Sequence, residues 1–356
     1  MKNFNILTIN PGSTSTKISY FHETGQEIKE ELHHEVEELK GMTQEEEIDY
    51  RYNLIRESVK KNNIDPKDIE AVVGRGGLLK PLKSGTYIVN DEMVEDLKSG
   101  RFGVHASNYG GILAKKIADK YNIPAYIVDP VVVDEMAEIA KLSGMPEFPR
   151  KSIFHALNQK AVAKAYCKNR NRKYEETSLI VAHMGGGVSV GLHHNGEVID
   201  VNNALDGDGP FSPERSGGVP IGDFFRGYYE NRYDKDFLLR RIKGSGGVVA
   251  YLGTNNIKKV VEDIEAGDME SKKIIDAMCY QISKEIGGLT TVLNGKIDSI
   301  ILTGGMAYSD YIISKIKENI SFIGEIVVVP GENEMISLYL GGCRVLSKEE
   351  IVKEYK

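Results

Sequence analysis

The sequence predicts an α/β protein of two similar domains that face each other across a ligand-binding cleft. Strand-like apolar runs alternate with segments of helical periodicity, which is the pattern of α/β folds. A β-hairpin plan with glycine turns occurs twice, in residues 4–31 and again in residues 178–202. Gly25 of the first copy corresponds to Gly196 of the second, an offset of 171 residues, which is nearly half of the 356. A repeated unit at the start of each half indicates duplication, and clefts between domains are preferred ligand sites.

Length and composition narrow the class of protein. A chain of 356 residues suggests about two domains of roughly 150 residues each. The net charge of −7, with no basic stripe, argues against nucleic acid as a partner. The three cysteines are widely spaced and outside metal or redox motifs, so we expect reduced thiols in a cytoplasmic protein. The N-terminal stretch lacks the features of a signal peptide, and no stretch approaches the ~18 apolar residues of a membrane span, so we expect no membrane partner.

The first hairpin contains a candidate phosphate loop, NPGSTSTKISYF, in residues 10–21. A Walker A loop needs four residues between two glycines, then Lys-Ser/Thr and a helix. Here the β-branched and aromatic residues after Lys17 favour a strand, so the segment reads as strand, turn and strand. Alternation predicts that Ser13, Ser15 and Lys17 share one side of the second strand, and a tight turn can hold an anion. The sequence therefore predicts a phosphate loop of the hairpin type.

The segments that follow alternate between helices and strands. Thr43 and Glu46 form a capping-box pattern before residues 48–59, whose apolar positions have helical spacing. Residues 68–77 indicate a strand and a glycine turn, and residues 125–144 indicate a strand, a proline-marked break and a helix.

The proline- and glycine-containing residues 144–150 predict the domain boundary. We assign residues 1–149 with about 336–356 to an N-terminal domain, because the last segment is expected to pack back on it. Residues 150–335 then form a C-terminal domain.

A third glycine turn, in residues 299–320, has a different plan. A strand is followed by Gly304-Gly305 and then by a helix with isoleucines on one face, at positions 312, 316 and 320. Flanking glycines at a helix N-terminus can bring backbone N–H groups close to a nucleotide.

Taken together, these motifs resemble the acetate and sugar kinase, heat-shock chaperone and actin superfamily, and within it the acetokinase family. The resemblance runs from ILTINPGSTSTK at residues 6–17 to VVPGENEMISLYLGG at residues 328–342. The stretches GRGGLLKPL, FHALNQKAVA, VAHMGGGVSV and DGDGPFSPERSGGVP are more similar to butyrate kinases than to acetate kinases, which usually carry Asn where this chain has Gly186. The resemblance implies two actin-like, ribonuclease H-like domains, of which the N-terminal one is the acid-kinase domain and the C-terminal one serves nucleotide binding and dimerisation. It also implies reversible, direct in-line phosphoryl transfer between ATP and butyrate, giving ADP and butyryl phosphate.

This chemistry needs positive charge and not a general base. A carboxylate with a pKa of about 4.3 is already ionised at pH 7, so the obstacle is repulsion between two anions. The resemblance assigns Arg215 to the reacting centre, where a guanidinium can bind oxygens in a fork. It assigns Arg75 to the substrate carboxylate, and His155 to a hydrogen bond with the transferred phosphoryl group.

The resemblance also implies the remaining site residues. Asn10 would orient an arginine or a phosphate oxygen, and His105 is similar to another active-site histidine. Mg²⁺ would accompany ATP, and the carboxylates of Asp129 and Glu334 would contact it. Asp129 would also belong to the reacting centre, and Glu332 stays open as an alternative to Glu334. The nucleotide would contact Ser13, Ser15, Lys17, His183, Gly185, Gly186, Gly187, Gly304, Gly305 and residues 244–256.

Several alternatives stay open at this level. The acid could instead be isobutyrate, propionate or acetate, and the fold also serves ATP-dependent chaperones, filament proteins and non-catalytic nucleotide-binding scaffolds. The constellation of Arg75, His155 and Arg215 favours a carboxylate kinase. The resemblance further implies an acid-pocket wall at Gly76 and Gly77, and a homodimer or a multiple of dimers.

Overall fold

A computed structural model describes residues 2–34 and 39–356 of the chain. The chain divides into two compact units: Met1–Val133 with Asn333–Lys356, called unit 1, and Asp134–Glu332, called unit 2. The boundary between the two domains that the sequence predicts lies later in the chain, at residues 144–150. That domain assignment stays a prediction. None of the helices in the described ranges is long and apolar enough to cross a membrane.

Unit 1 is built on a seven-stranded sheet with the spatial order β12-β5-β6-β4-β1-β2-β3. β1 pairs antiparallel with β2 and parallel with β4, which continues the parallel pairing to β6. The strands are β1 (Ile6–Pro11), β2 (Ser15–Phe21), β3 (Glu27–His33), β4 (Ala71–Arg75), β5 (Thr86–Ile88), β6 (Ala125–Val128) and β12 (Lys353–Glu354).

The helices of unit 1 are α1 (Gln44–Lys61), α2 (Asp91–Ser99), α3 (Asn108–Tyr121) and α12 (Glu334–Leu346), with a 3₁₀ turn at Pro66–Asp68. The predicted capping box at the start of α1 is confirmed. Glu46 N donates to Thr43 Oγ1 over 3.3 Å, and Thr43 N donates to the Glu46 carboxylate over 2.7 Å.

The approach of α3 to β4 is unusually close and depends on glycines. A Cβ atom on Gly74 would lie 2.1 Å from the carbonyl oxygen of Gly110, and one on Gly110 would lie 2.2 Å from that of Arg75. The backbone at the end of β4 is therefore held directly against α3, which fixes the position from which Arg75 projects.

Unit 2 repeats this plan with a five-stranded sheet in the order β11-β10-β7-β8-β9. Its strands are β7 (Ser178–Met184), β8 (Val188–His194), β9 (Glu197–Val201), β10 (Ser299–Gly304) and β11 (Ile326–Pro330). β7, β8 and β9 form an antiparallel meander, and β10 pairs parallel with β7. The same relations join β1, β2, β3 and β4, so the predicted duplication is confirmed in the strand order.

Several helices of unit 2 precede or connect these strands. They are α4 (Glu138–Lys141), α5 (Ala156–Asn169), α6 (Ile221–Tyr229), α7 (Lys235–Ile242), α8 (Gly247–Leu252), α9 (Ile257–Glu265), α10 (Met269–Val292) and α11 (Asp310–Ile320), with 3₁₀ turns at Tyr174–Glu176 and Gly305–Tyr308. The predicted apolar face of α11 is buried in the core with β7, β8, β10 and α10. The sequence predicts that α11 begins directly after Gly304-Gly305. It begins instead at Asp310, because a 3₁₀ turn at Gly305–Tyr308 lies between the strand and the helix.

Candidate active site

Three predicted residues of unit 1 meet at the end of β4. Arg75 is the last residue of that strand, and its NH1 lies 2.9 Å from Glu334 Oε1. The same nitrogen donates to Asn10 Oδ1 over 3.2 Å, while Asn10 Nδ2 donates to Glu334 Oε2 over 2.5 Å. Asn10 and Glu334 are 324 positions apart in the chain. Together they fix the Arg75 guanidinium, so the predicted role of Asn10 in orienting an arginine agrees with this geometry.

The predicted phosphate loop is a hairpin turn between β1 and β2. It is closed by a 2.7 Å hydrogen bond from Gly12 N to Ser15 O, and β2 begins only at Ser15. Ser13 is exposed within the turn, so the prediction that it shares a strand face with Ser15 and Lys17 is wrong. Ser15 Oγ donates to Glu31 over 2.7 Å, which lowers the pKa of that carboxyl, and Lys17 lies opposite Glu31 in the register. The contact of this loop with phosphate stays a prediction.

Asp129 is buried directly after β6, where its backbone has a φ of 38°. Its Oδ1 accepts hydrogen bonds from Ser84 Oγ over 2.6 Å and from Gly85 N over 2.7 Å. A non-glycine residue with positive φ costs free energy, and such residues are concentrated at functional sites. His105 is exposed before α3, with Nδ1 2.9 Å from Ser107 Oγ.

The two glycines after Arg75 lie close against other parts of unit 1. A Cβ atom on Gly77 would lie 2.4 Å from Asn108 Oδ1 and 2.6 Å from Asn108 Cα. A Cβ atom on Gly76 would lie 2.5 Å from Pro130 Cβ. A side chain added at either position would collide with the protein itself, whereas the acid-pocket wall at Gly76 and Gly77 stays a prediction.

In unit 2, His155 and His183 stack face to face. Their ring centroids are 3.9 Å apart and the planes differ by 15°. His155 precedes α5 and its Nδ1 lies 2.8 Å from Ser189 Oγ on β8. His183 lies on β7, and its Nδ1 is 2.8 Å from Asn158 Oδ1. Two predicted histidines are thus brought into one pair, each with its Nδ1 bonded and its Nε2 turned away from that bond.

His183 Nε2 is buried and has no hydrogen-bond partner. It lies 3.7 Å from Glu332 Oε1, and both atoms are within 3.3 Å of the position that a Cβ atom on Gly185 would take. A buried polar atom without a partner is costly, so this nitrogen marks a position that a ligand can satisfy.

Arg215 packs on the glycine turn between β7 and β8. A Cβ atom on Gly187 would lie 1.9 Å from Arg215 NH1, so glycine is required there for the guanidinium to fit. Arg215 NH1 donates to the carbonyl of Ala204, and burial lowers the pKa of the guanidinium. Among the residues that the structure describes, no carboxylate lies within ion-pairing distance of Arg215.

A cavity of about 810 Å³ opens beside the same turn, entirely within unit 2. This volume is in the range of small-molecule sites. Of the predicted nucleotide residues, Gly185, Gly186 and Gly305 border it, whereas Gly304 lies against Met184, where a Cβ would be 2.4 Å from the carbonyl oxygen. Its other lining residues are Pro213, Glu214, Asn255, Ile257, Lys258, Val261, Glu262, Glu265, Met306, Tyr308, Ser309, Asp310, Tyr311 and Glu332.

The part contributed by α9 was not predicted from the sequence. The apolar and charged residues of this helix follow an ordinary amphipathic pattern, which gives no sign that one edge borders a ligand. Next to this helix, the sequence predicts Asn255, in the segment 244–256, as a residue of the nucleotide site.

The carboxylates proposed for Mg²⁺ lie in different surroundings. Both oxygens of Glu334 are engaged by Arg75 and Asn10, and Asp129 is held by the turn at residues 84–85, whereas Glu332 is half exposed at the cavity. Within residues 2–34 and 39–356, no group of three or more His, Cys, Asp or Glu side chains could hold a metal ion. Mg²⁺ bound to nucleotides usually needs only one or two carboxylates besides phosphate and water, so these residues fit such an ion.

Comparison with known proteins identifies the family. The model of the acetokinase family matches residues 138–328. Butyrate kinase 1 of Clostridium acetobutylicum is 52% identical over 354 residues, which cover 99% of this chain and 100% of the relative. The chain belongs to the acetokinase family. A second relative, butyrate kinase 2 of the same organism, is 54% identical over 354 residues and 99% of each chain.

Solved structures show that the acetokinase fold extends over the whole chain. The crystal structure of Porphyromonas gingivalis acetate kinase matches with a TM-score of 0.77 at 17% identity, covering 98% of this chain and 100% of that one. A propionate kinase from Francisella tularensis matches with a TM-score of 0.76 at 17% identity, covering 95% and 98%. At this level of identity the likeness concerns the fold alone.

Proposed function

We propose that this member of the acetokinase family is a butyrate kinase, which transfers the γ-phosphoryl group of ATP to the carboxylate of butyrate and catalyses the reverse reaction. The relatives named butyrate kinase, which match over nearly the full chain at 52% and 54% identity, support this choice of acid. The observation that carries the chemistry is the Arg215 guanidinium, which is partly buried beside the glycine turn and has no carboxylate within ion-pairing distance among the described residues.

Such a cation favours an anionic ligand. A desolvated charge is stabilised when an opposite charge binds next to it, and its interactions are stronger there than in water. The oxygens of a phosphoryl group in transfer carry spread negative charge, which a fixed guanidinium can stabilise without reorganising. Arg215 therefore stabilises the transferred group, and His155 adds a hydrogen-bond donor to it.

Arg75 binds the carboxylate of the acid. Its NH1 is held by Asn10 and Glu334, and this leaves the rest of the guanidinium fork to meet a substrate oxygen. The incoming carboxylate is already ionised at neutral pH, so no residue has to remove a proton from it. Asn10 acts through Arg75 and is therefore a positioning residue.

Mg²⁺ bound with ATP would neutralise the β- and γ-phosphates, and Asp129 and Glu334 are the carboxylates that would hold it. The adenosine would occupy the cavity between the glycine turns and α9, where Ile257 and Val261 supply apolar surface for a base.

A hydroxamate assay for acyl phosphate tests the proposed function. The purified protein is given saturating MgATP and acetate, propionate, butyrate, isobutyrate or valerate in turn. We expect the highest kcat/KM with butyrate. A higher value with isobutyrate, propionate or acetate would replace the acid and keep the reaction class, while no acyl phosphate with any acid would contradict a carboxylate kinase.

We further propose a homodimer or a multiple of dimers, because the family resemblance implies pairing through the second domain. Light scattering on the protein as it elutes from a size-exclusion column should give two or a larger even number of chain masses of 39.5 kDa. A single-chain mass at micromolar concentration would contradict this.

A further inference from the structure

We propose that Ser189 and Gln159 are positioning residues that hold His155 in the tautomer with its proton on Nε2. Gln159, Ser189 and His155 form a row of hydrogen-bonded side chains. The row reaches the His155 ring at Nδ1, on the opposite edge from Nε2. Ser189 and Gln159 are completely buried. The use of the Nε2 proton as a donor to phosphoryl rests on the proposed function, whereas the tautomer itself follows from the hydrogen bonds.

The orientation of the Gln159 amide is fixed by a backbone carbonyl. Its Nε2 lies 3.0 Å from Ser189 O and must donate to it, and the same nitrogen donates to Ser189 Oγ over 2.8 Å. The amide oxygen then points the other way, towards His193 Nε2 at 3.1 Å. Gln159 therefore reaches the Ser189 hydroxyl only as a donor.

The Ser189 hydroxyl consequently has a single acceptor to which it can donate a hydrogen bond. It has three neighbours within hydrogen-bond distance: Gln159 Nε2, the backbone N of His155 at 3.4 Å, and His155 Nδ1 at 2.8 Å. The first two are donors, so the hydroxyl donates to His155 Nδ1. A neutral imidazole that accepts at Nδ1 carries its proton on Nε2.

Beyond Gln159, the hydrogen bonds to His193 and Tyr174 run in the same donor-to-acceptor direction. The Gln159 oxygen accepts from His193 Nε2, and the hydroxyl of Tyr174, 2.7 Å from His193 Nδ1, donates to that nitrogen. Burial lowers the pKa of His193 well below its ordinary value, which keeps the ring neutral with one proton. Every bond from Tyr174 to His155 is therefore compatible with a single arrangement of protons.

The stacked neighbour His183 is held in the opposite tautomer. Asn158 Nδ2 donates to Glu332 O over 2.7 Å, so its oxygen accepts from His183 Nδ1. Once Nδ1 carries this proton, the lone pair of the single-proton tautomer is on Nε2, the buried nitrogen that has no hydrogen-bond partner. The stacked pair thus presents one N–H donor, on His155, and one acceptor, on His183. The donor does not depend on a protonated imidazolium.

NMR of protein labelled with ¹⁵N in its histidine rings tests the tautomer directly. Long-range ¹H–¹⁵N spectra at pH 8 should show His155 protonated on Nε2 alone, with the His155→Gln spectrum giving the assignment. In Ser189→Ala, the Nδ1 resonance should move to that of a nitrogen accepting no hydrogen bond. Since a hydrogen bond of this kind is worth about a factor of ten, kcat should fall about tenfold, with smaller changes in the KM values for butyrate and MgATP.

Two further variants separate positioning from general damage. Ser189→Thr keeps the hydroxyl and should restore the Nδ1 resonance and most of kcat. Ser19→Ala is the matched control, because Ser19 is a buried serine in the first hairpin whose hydroxyl has no partner. It should leave kcat and the His155 signals unchanged. Wild-type His155 protonated on Nδ1, or a wild-type kcat in Ser189→Ala, would overturn the proposal. A wild type that phosphorylates no acid would instead refute the proposed function, while the NMR result would still decide the tautomer.

Discussion

Replacing Gly187 by alanine should displace Arg215 and leave the fold intact. The added methyl would lie 1.9 Å from Arg215 NH1 and 2.5 Å from its Cζ, while no backbone atom is among the three nearest neighbours. The end of a long side chain can move aside at little cost, whereas a backbone cannot. Gly187→Ala is therefore expected to act as a displacement of one cation.

The effects on stability and on catalysis should differ in size. Loss of the hydrogen bond from Arg215 to the Ala204 carbonyl costs about 1.5–3 kcal/mol, and Gly→Ala at a compatible φ returns about 0.4–1 kcal/mol by restricting the unfolded chain. The net loss of about 0.5–2.6 kcal/mol leaves a protein of ordinary stability folded. Misplacing a donor that stabilises transition-state charge lowers kcat by roughly 10²–10³-fold, or about 2.7–4 kcal/mol.

The assay combines thermal unfolding with steady-state kinetics. Gly187→Ala should keep a cooperative transition near that of wild type and a similar KM for MgATP, with kcat reduced at least 10²-fold. Gly144→Ala is the matched control, because Gly144 is exposed with open space around its Cβ position, and it should change neither quantity. Full activity in Gly187→Ala, or activity lost only in step with unfolding, would refute the reasoning about Arg215.

The remaining predictions concern charge, acid length, a buried ion pair and the thiols. Arg215→Lys keeps the charge but loses the fork, so kcat should fall roughly 10²-fold with little change in the KM for MgATP; near wild-type kcat would contradict its role. Butyrate has two more methylenes than acetate, so an apolar pocket predicts a kcat/KM ratio of roughly 15, and a preference for acetate would exclude that pocket. Glu135→Gln removes the carboxylate that forms an ion pair with buried Lys160 and should lower the free energy of unfolding by about 3–5 kcal/mol in a urea titration, whereas an unchanged midpoint would show that the pair contributes little. All three cysteines are buried, and burial raises the pKa of Cys279 to about 12, so native protein at pH 8 should react with no thiol reagent until it is unfolded; rapid labelling of native protein would contradict this.

Much of the fold could be predicted because its signals are local. A glycine turn between alternating segments specifies a hairpin within about 30 residues, and two such hairpins half a chain apart indicate duplication. The capping box at Thr43 and the isoleucine face of α11 likewise depend on neighbours in sequence. The sequence predicts the start of α11 too early, because a 3₁₀ turn and an α-helix share the same local preferences.

The geometry of the site could be predicted only in part, because it depends on contacts between distant segments. Resemblance supplied Arg75, His155 and Arg215, but nothing local says that Glu334 meets Arg75. The resemblance also does not give the direction in which a side chain at Gly77 would point. That direction decides whether a larger residue fills a pocket or collides with α3. The row behind His155 begins with an ordinary strand serine, whose role depends on a glutamine of α5.

The return of the chain to unit 1 has a consequence for synthesis on the ribosome. α12 and β12, in Asn333–Lys356, complete a unit that begins with Met1–Val133, and all of unit 2 is made between them. At about 5–20 residues per second, the first segment waits on the order of 10–40 s for its last helix and its last strand. A growing chain can therefore finish the half that contains the large cavity before Glu334 exists to hold Arg75.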